Sequence, residues 1–350
     1  FVYGKIPPPA LDQVHQSLRR CFRELNRLGL TSVGDFQTQG VTFAHRRLLG
    51  EMARRSDLTL RINYYIAPNE AGDELEELRT TAEEVKKLSK SDLFRFAGFG
   101  EVLIRGTGDG DLPSNPDGVT IDPQAREKFR RLIRFFAEAG HNFHLHATQD
   151  HTARQLLEVI EEVEGETPFL RQRITFAHLE DASPETILRI VRLGGGISVQ
   201  DRMALTGERN VQLWGAAKGR NAPPLRTMIQ SRVPLGAGTD AFRSGNFSPM
   251  LSLWWLITGK TVAGSAIRDP KQNVTREEAL RMYTVGGAWL TFDETNKGSI
   301  EVGKLADLAV LNGDYLTVPE DQIRSLESLL TVVGGRIVYA AGPFMRLKGR

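Results

Sequence analysis

Short apolar runs alternate with longer amphipathic segments along most of the chain. In residues 10–30, apolar side chains from Leu11 to Leu28 recur at three- and four-residue spacing, which predicts a helix. The short apolar run that follows Gly29 predicts a buried strand. This pairing repeats, and the predicted strands are residues 31–35, 60–66, 93–104, 142–146, 174–178, 196–200 and 233–237. Strands that alternate with helices indicate βαβ units and a parallel sheet.

The predicted helices complete this repeating order. They are residues 10–30, 44–55, 72–89, 123–139, 151–163, 184–193, 223–231, 249–260 and 275–290. A (β/α)8 barrel has eight strands, and the pattern provides seven. We therefore predict an α/β fold, a TIM-type barrel that lacks its first strand, with strands two to eight in a domain at residues 1–290. The missing strand is expected to lie before residue 1.

The last part of the chain is rich in strands. Apolar runs at 304–311 and 328–340 are separated by a polar linker, and Gly334 and Gly335 within the second run indicate a hairpin. A small sheet of this kind cannot bury both of its faces alone. We predict that residues 291–350 form the C-terminal part of a composite β-sandwich, packed against strands that precede residue 1.

Composition limits the classes of partner and the cellular compartment that we expect. The 350 residues contain 45 Lys and Arg against 43 Asp and Glu, a formal charge of +2, which gives no reason to expect nucleic acid or an acidic membrane surface. No apolar run approaches the ~20 residues that span a bilayer. The single cysteine, Cys21, fits a reducing compartment, so a cytoplasmic location is expected. Trp254 and Trp255 suggest an apolar contact surface and a homodimer.

Three residues at predicted strand ends suggest a metal site. His146, His178 and Asp240 each follow an apolar run, and active sites of such barrels lie at the carboxyl ends of the strands. Imidazole nitrogens suit Zn²⁺ and similar ions. Asp240 is also the candidate general base, because a carboxylate beside a metal-bound water can accept its proton. The alternatives are core histidines and, for Asp240, a helix cap.

Further polar residues are candidates at the same edge. Glu101 is the only carboxylate of the predicted strand at 93–104, and it would bridge a second metal or else be a loop or surface carboxylate. His144 shares a strand face with His146, since alternate residues point the same way. Together with Gln200 and Arg202 it is a candidate for binding substrate. Asp109 and Asp111 lie in a glycine-rich loop that would be a lid or an ordinary polar loop.

These motifs resemble those of the amidohydrolase superfamily. The likeness rests on His146-Ala, Ala-His178-Leu, Gly-Thr-Asp240 and the tail at residues 298–311. It is strongest to the amidohydrolase 3 branch, which includes N-substituted formamide deformylases and the exoenzyme regulatory protein group. The resemblance implies a hydrolase of C–N bonds that acts on a small amide-type substrate with one or two divalent ions, usually zinc. It implies His146 and His178 as ligands, and Asp240 as ligand and base.

The chain departs from the family pattern in two places. The family's first strand carries a His-x-His pair, and none of the predicted strands corresponds to it. Many members also carry a carboxylated Lys on strand four, whereas the corresponding position here is expected near Arg95, which cannot be carboxylated. Two functions therefore stay open: an active hydrolase, and a truncated or degenerate member that acts as a binding or assembly module. A metal-assisted lyase or isomerase on the same barrel is a further alternative.

Overall fold

A computed structural model describes residues 9–37, 41–69, 72–88, 91–110, 118–241 and 245–347. Asp111, in the predicted lid loop, lies outside these residues. The main sheet consists of β1 (Ser32–Asp35), β2 (Arg61–Ile66), β3 (Phe94–Phe99), β4 (Phe143–Gln149), β5 (Ile174–Asp181), β6 (Gly196–Gln200) and β7 (Leu235–Gly238). All neighbours in it are parallel and follow chain order, so the predicted seven-stranded βα architecture is confirmed.

Helices connect these strands and follow them. They are α1 (Leu11–Arg27), α2 (Phe43–Arg54), α3 (Glu74–Lys86), α4 (Pro123–Ala139), α5 (Asp150–Glu166), α6 (Pro184–Arg192), α7 (Met203–Trp214), α8 (Ala216–Arg220), α9 (Leu225–Gln230), α10 (Pro249–Thr258), α11 (Arg276–Arg281), α12 (Gly287–Leu290) and α13 (Glu320–Ile323). Several predicted boundaries were wrong. The strand predicted at 93–104 ends at Phe99, and the strands predicted to end at 146 and 178 continue to Gln149 and Asp181. A π-helical turn at Met282–Gly286 interrupts the helix predicted at 275–290.

Local signals fix where several of these helices start and stop. At α4, the Asp122 carboxylate accepts hydrogen bonds from two backbone N–H groups of the first turn, and Pro123 takes the first helical position. The helix ends at Gly140, whose φ of 72° is left-handed and favours glycine. This arrangement directs the chain straight into β4, which carries two of the candidate histidines.

The parallel sheet curls instead of lying flat. Phe36, just past β1, stacks on His144 of β4 with ring centroids 4.2 Å apart. In a flat sheet, strands three positions apart would be separated by about 14 Å. Side chains on the concave face therefore converge across several strands, as in a barrel interior. Within the described residues, β1 and β7 are the two edges of the sheet.

The second sheet is small and antiparallel. Its strands are β8 (Leu308–Leu311), β9 (Ser328–Val333) and β10 (Arg336–Ala340), in the order β10-β9-β8. The hairpin predicted at Gly334 and Gly335 is confirmed, and both residues have the positive φ that such a turn requires. The Thr331 hydroxyl donates to the Asn26 carbonyl of α1 over 2.6 Å, so this sheet packs on α1. The proposed division at residue 290 stays a prediction.

The apolar helix α10 corrects one expectation. Trp254 and Trp255 are 2% and 0% exposed, so the interpretation of this pair as a contact surface was wrong. Every residue of α10 is buried, which is expected of a helix that is apolar on all sides. The burial of this pair removes the observation that suggested a homodimer. Among the described residues, no helix combines the length and hydrophobicity needed to cross a bilayer.

Candidate metal centre

Three side chains from different parts of the curled sheet meet at its carboxyl edge. Glu101 Oε1 lies 2.8 Å from Nδ1 of His146 and 2.6 Å from Nε2 of His178. The two imidazole nitrogens are themselves 3.0 Å apart. His146 belongs to β4 and His178 to β5, whereas Glu101 follows β3 by two residues. The three side chains are almost completely shielded from solvent.

The charges of this cluster are strongly coupled. Burial opposes ionisation of Glu101, but the two imidazoles hold the pKa of its carboxyl well below the ordinary value. Burial likewise lowers the pKa of His146, but the carboxylates of Asp109 and Glu101 outweigh it and raise that pKa to about 10. At neutral pH the cluster therefore combines a carboxylate with an imidazolium. The cluster is built around negative charge that a cation neutralises.

The second nitrogen of His146 faces another carboxylate. Asp109 Oδ1 lies 3.3 Å from His146 Nε2, and the Asp109 side chain is fully buried. Its two oxygens also accept hydrogen bonds from the backbone N–H groups of Thr148 and Gln149, at 2.8–3.1 Å. Asp109 therefore lines the candidate site. The interpretation of its loop as a lid or an ordinary polar loop did not predict this position.

The backbone at His178 has an uncommon conformation. His178 and Leu179 have φ of 73° and 46°, in the left-handed region that costs a non-glycine residue of order 1–3 kcal/mol. Directly after them, Glu180 is anchored in a buried network with three partners. They are Arg202 Nη2 at 3.2 Å, the Gln200 side-chain amide at 2.5 Å and Asn210 Nδ2 at 3.5 Å.

This network bears on two residues that the sequence suggested for substrate binding. Gln200 and Arg202 are 7% and 1% exposed, and both hold the Glu180 carboxylate. Their observed contacts hold the ends of β5 and β6 together. A contact of either residue with substrate stays a prediction.

Asp240 lies two residues past β7, half-buried and with a φ of 53°. It is not among the three residues whose ligand atoms lie within 4.8 Å of one another, which are Glu101, His146 and His178. The charge of its carboxylate affects the pKa of a neighbouring side chain. Burial, helped by the charge of Asp240, raises the pKa of Asp201 to about 8. The role of Asp240 as ligand and base stays a prediction.

His144 occupies the same face of β4 as His146 but has a different environment. Its Nδ1 lies 2.6 Å from the Thr175 hydroxyl, and its ring stacks on Phe36. Burial lowers the pKa of His144 to about 3, so the ring is neutral. These contacts are those of a satisfied core histidine, and the substrate-binding role suggested for it stays a prediction.

Arg95 is not at the metal end of its strand, so the expectation that its position corresponds to the family's strand-four lysine was wrong. It is the second residue of β3 and forms an ion pair with Asp293 at 3.0 Å, at the amino edge of the sheet. The residue from this part of the chain that reaches the histidines is Glu101.

The donor set fits a divalent metal ion. Two imidazoles and a carboxylate are ligands that Zn²⁺ takes in proteins. Glu101, His146 and His178 form the one group of three or more potential ligands with this proximity that the described residues contain. The three atoms that converge are Glu101 Oε1, His146 Nδ1 and His178 Nε2, and each of them can offer a lone pair to a cation.

Comparisons with known proteins identify relatives of this chain. The putative amidohydrolase YtcJ of Bacillus subtilis is 23% identical over 348 residues, which cover 97% of this chain and 64% of that protein. An N-substituted formamide deformylase of Arthrobacter pascens is 35% identical over 116 residues, 33% of this chain and 21% of the relative. The chain therefore spans less than two thirds of the length of these relatives.

A solved structure shares the fold. An uncharacterized metal-dependent hydrolase from Pyrococcus furiosus superposes with a TM-score of 0.68 at 22% identity, over 90% of this chain and 63% of that one. A family model described as the amidohydrolase family matches residues 1–339. The resemblance to the amidohydrolase 3 branch is thereby confirmed, and the chain belongs to the amidohydrolase family.

Proposed function

We propose that this chain is the catalytic part of a metal-dependent hydrolase that cleaves C–N bonds of amide type in a small molecule. The observation that carries the proposal is the convergence of Glu101, His146 and His178 at the carboxyl edge of the sheet. Membership of the amidohydrolase family supports it. So does the similarity to a formamide deformylase, whose named substrate class contains such a bond.

Each residue has a specific task in this proposal. Glu101, His146 and His178 would hold the ion, and Asp240 would complete the set from the end of β7. A bound divalent ion, which we propose to be zinc, would make a water reactive near neutral pH, because such ions lower the pKa of a coordinated water towards ~7. Asp240 would accept the proton of the attacking water and deliver it to the leaving nitrogen. Glu101 would also be the carboxylate available to a second ion.

Metal content and turnover together test the proposal. We expect the chain to retain Zn²⁺ in stoichiometric amount and to release a carboxylate from N-formyl, N-acyl or cyclic amides when Zn²⁺ or Mn²⁺ is present. His178→Ala should lose both properties, because it removes one of the converging ligands. His15→Ala, which affects a surface histidine beside Asp57, should keep both. Zinc content is measured by mass spectrometry, and turnover by chromatography of the released acid.

Two outcomes would contradict the proposal in different ways. A folded chain that binds no metal would favour the alternative of a binding or assembly module. A chain that binds zinc but hydrolyses no C–N bond in the panel would retain the metal site and contradict the hydrolase.

A further inference from the structure

The imidazole of His146 lies between two buried carboxylates, and only one of them belongs to the converging ligand cluster. Glu101 is 2.8 Å from Nδ1, on the side of His178. Asp109 is 3.3 Å from Nε2, on the opposite side of the ring. This contact is an ion pair, and Nε2 has no aligned hydrogen bond among the described residues. The two nitrogens therefore have different partners, which is the condition for one of them to be dedicated to a metal.

Asp109 is itself firmly placed. Its carboxylate accepts backbone hydrogen bonds from Thr148 and Gln149, the two residues that lead from β4 into α5. His146 lies just two residues before Thr148 on the same strand, so one carboxylate fixes both the main chain and the ring. The Thr148 hydroxyl, which donates to the Gly110 carbonyl over 3.2 Å, holds the loop of Asp109 from the other side.

We propose that Asp109 is a positioning residue that holds the Nε2–H of His146 and thereby presents Nδ1 to the metal ion beside Glu101 and His178. This inference rests on the proposed metal-dependent function. Outer carboxylates that accept the second N–H of a ligating histidine fix its tautomer and ring orientation, and their loss weakens metal binding about 10–100-fold. Asp109 is thus assigned to the metal site without being a ligand.

A purely structural role makes a different prediction. If Asp109 served only to cap the turn into α5, any variant that keeps the two backbone hydrogen bonds would leave metal binding unchanged. Asp109→Asn makes this distinction. The amide oxygen of the D109N variant can still accept from the backbone, but its NH₂ group would then face Nε2 and donate to it. That reversal puts the imidazole proton on Nδ1, where a metal cannot bind.

Metal titration tests the proposal with Zn²⁺ and Co²⁺ alone as probes. We expect D109N to remain folded and to bind Zn²⁺ about 10–100-fold more weakly than the unaltered chain, in competition with a chromophoric chelator. The visible spectrum of the Co²⁺ complex should change, because the ligand field changes. Asp122→Asn is the matched control, since Asp122 also accepts two backbone N–H groups at a helix start but is part of the α4 cap. It should bind both ions normally.

A second measurement does not depend on the stability of a variant. In the unaltered chain loaded with Zn²⁺ and labelled with ¹⁵N-histidine, Nε2 of His146 should carry a proton and Nδ1 should be coordinated. Coordination through Nε2, or equal zinc affinity of D109N and D122N, would overturn the role of Asp109 and leave the proposed function intact. An unaltered chain that binds no Zn²⁺ would overturn both.

Discussion

Two groups of charged side chains, one at each edge of the parallel sheet, are neutralised differently. At the amino edge, arginine and lysine side chains pair with carboxylates: Arg95 and Lys297 each lie 3.0 Å from Asp293, and Arg61 lies 2.6 Å from Asp307. At the carboxyl edge, Glu180 is likewise paired with an arginine, but the ionisable partners of Glu101 and Asp109 within the part of the chain that the structure describes are imidazoles.

This difference separates stability from function. A buried carboxylate that has a fixed cationic partner is neutralised by the fold itself, and removing the partner leaves an uncompensated charge. A buried carboxylate that faces imidazoles becomes neutralised through protonation of those rings, and a divalent ion can take the place of the proton. The amino edge is therefore complete without a ligand, whereas the carboxyl edge is arranged to accept one.

The largest expected effect concerns the amino edge. Arg61→Met should lower the free energy of unfolding by about 3–5 kcal/mol, because Asp307 would be left charged and buried. Its zinc affinity should stay unchanged. Urea denaturation and zinc titration measure the two quantities. Arg79→Met, which breaks an exposed pair with Glu76, is the control and should cost no more than about 1 kcal/mol. A parallel loss of zinc affinity in Arg61→Met would contradict the separation of the two edges.

The next effect is a pH dependence at the carboxyl edge. The pKa of Asp201 is about 8 in the folded protein and close to 3.8 when unfolded, so between these values only the folded state keeps the proton. Stability must then fall as pH rises through this window, by up to about 1.4 kcal/mol per pH unit. Asp201→Asn removes this pH dependence of stability. We expect its advantage over the unaltered chain to grow by a few kcal/mol from pH 5 to pH 8.

Thermal unfolding of both proteins in the presence of a chelator checks this expectation. The chelator keeps bound metal from contributing its own pH dependence. A difference between the two proteins that is the same at pH 5 and pH 8 would show that Asp201 titrates normally in the folded state.

The smallest expected effect concerns both stability and zinc affinity. Glu180→Gln removes the charge that faces Arg202 but keeps an oxygen that can accept from Arg202 and Asn210, so it should cost less than Arg61→Met, about 2 kcal/mol of stability. Because Glu180 follows His178 and Leu179, whose backbone is left-handed, we also expect a modest loss of zinc affinity. Urea denaturation and zinc titration are again the measurements. Unchanged zinc affinity together with reduced stability would show that this network only stabilises the fold, as the ion pairs of the amino edge do.

Much of the fold was predictable from the sequence. The spacing of apolar residues marked all seven parallel strands and the hairpin at Gly334, because side-chain periodicity is a local property of the backbone. The same periodicity assigned His146 and His178 to strands correctly, but it ended those strands at these residues, whereas β4 continues to Gln149 and β5 to Asp181. It did not mark the end of β3 correctly, because the apolar run continues to Ile104 although the strand stops at Phe99. Nor could it show that Trp254 and Trp255 are buried, since burial depends on what surrounds α10.

The amino-acid sequence by itself determined which strands form, their order and which family the chain resembles. Only the tertiary structure decided which polar groups meet. The curl of the sheet brings Glu101 within 2.8 Å of His146 and within 2.6 Å of His178, and a loop brings Asp109 to the other side of the His146 ring. These partners are 32 to 77 residues apart in the chain. Such contacts follow from how strands pack and how loops close, which no local pattern of apolar and polar residues encodes.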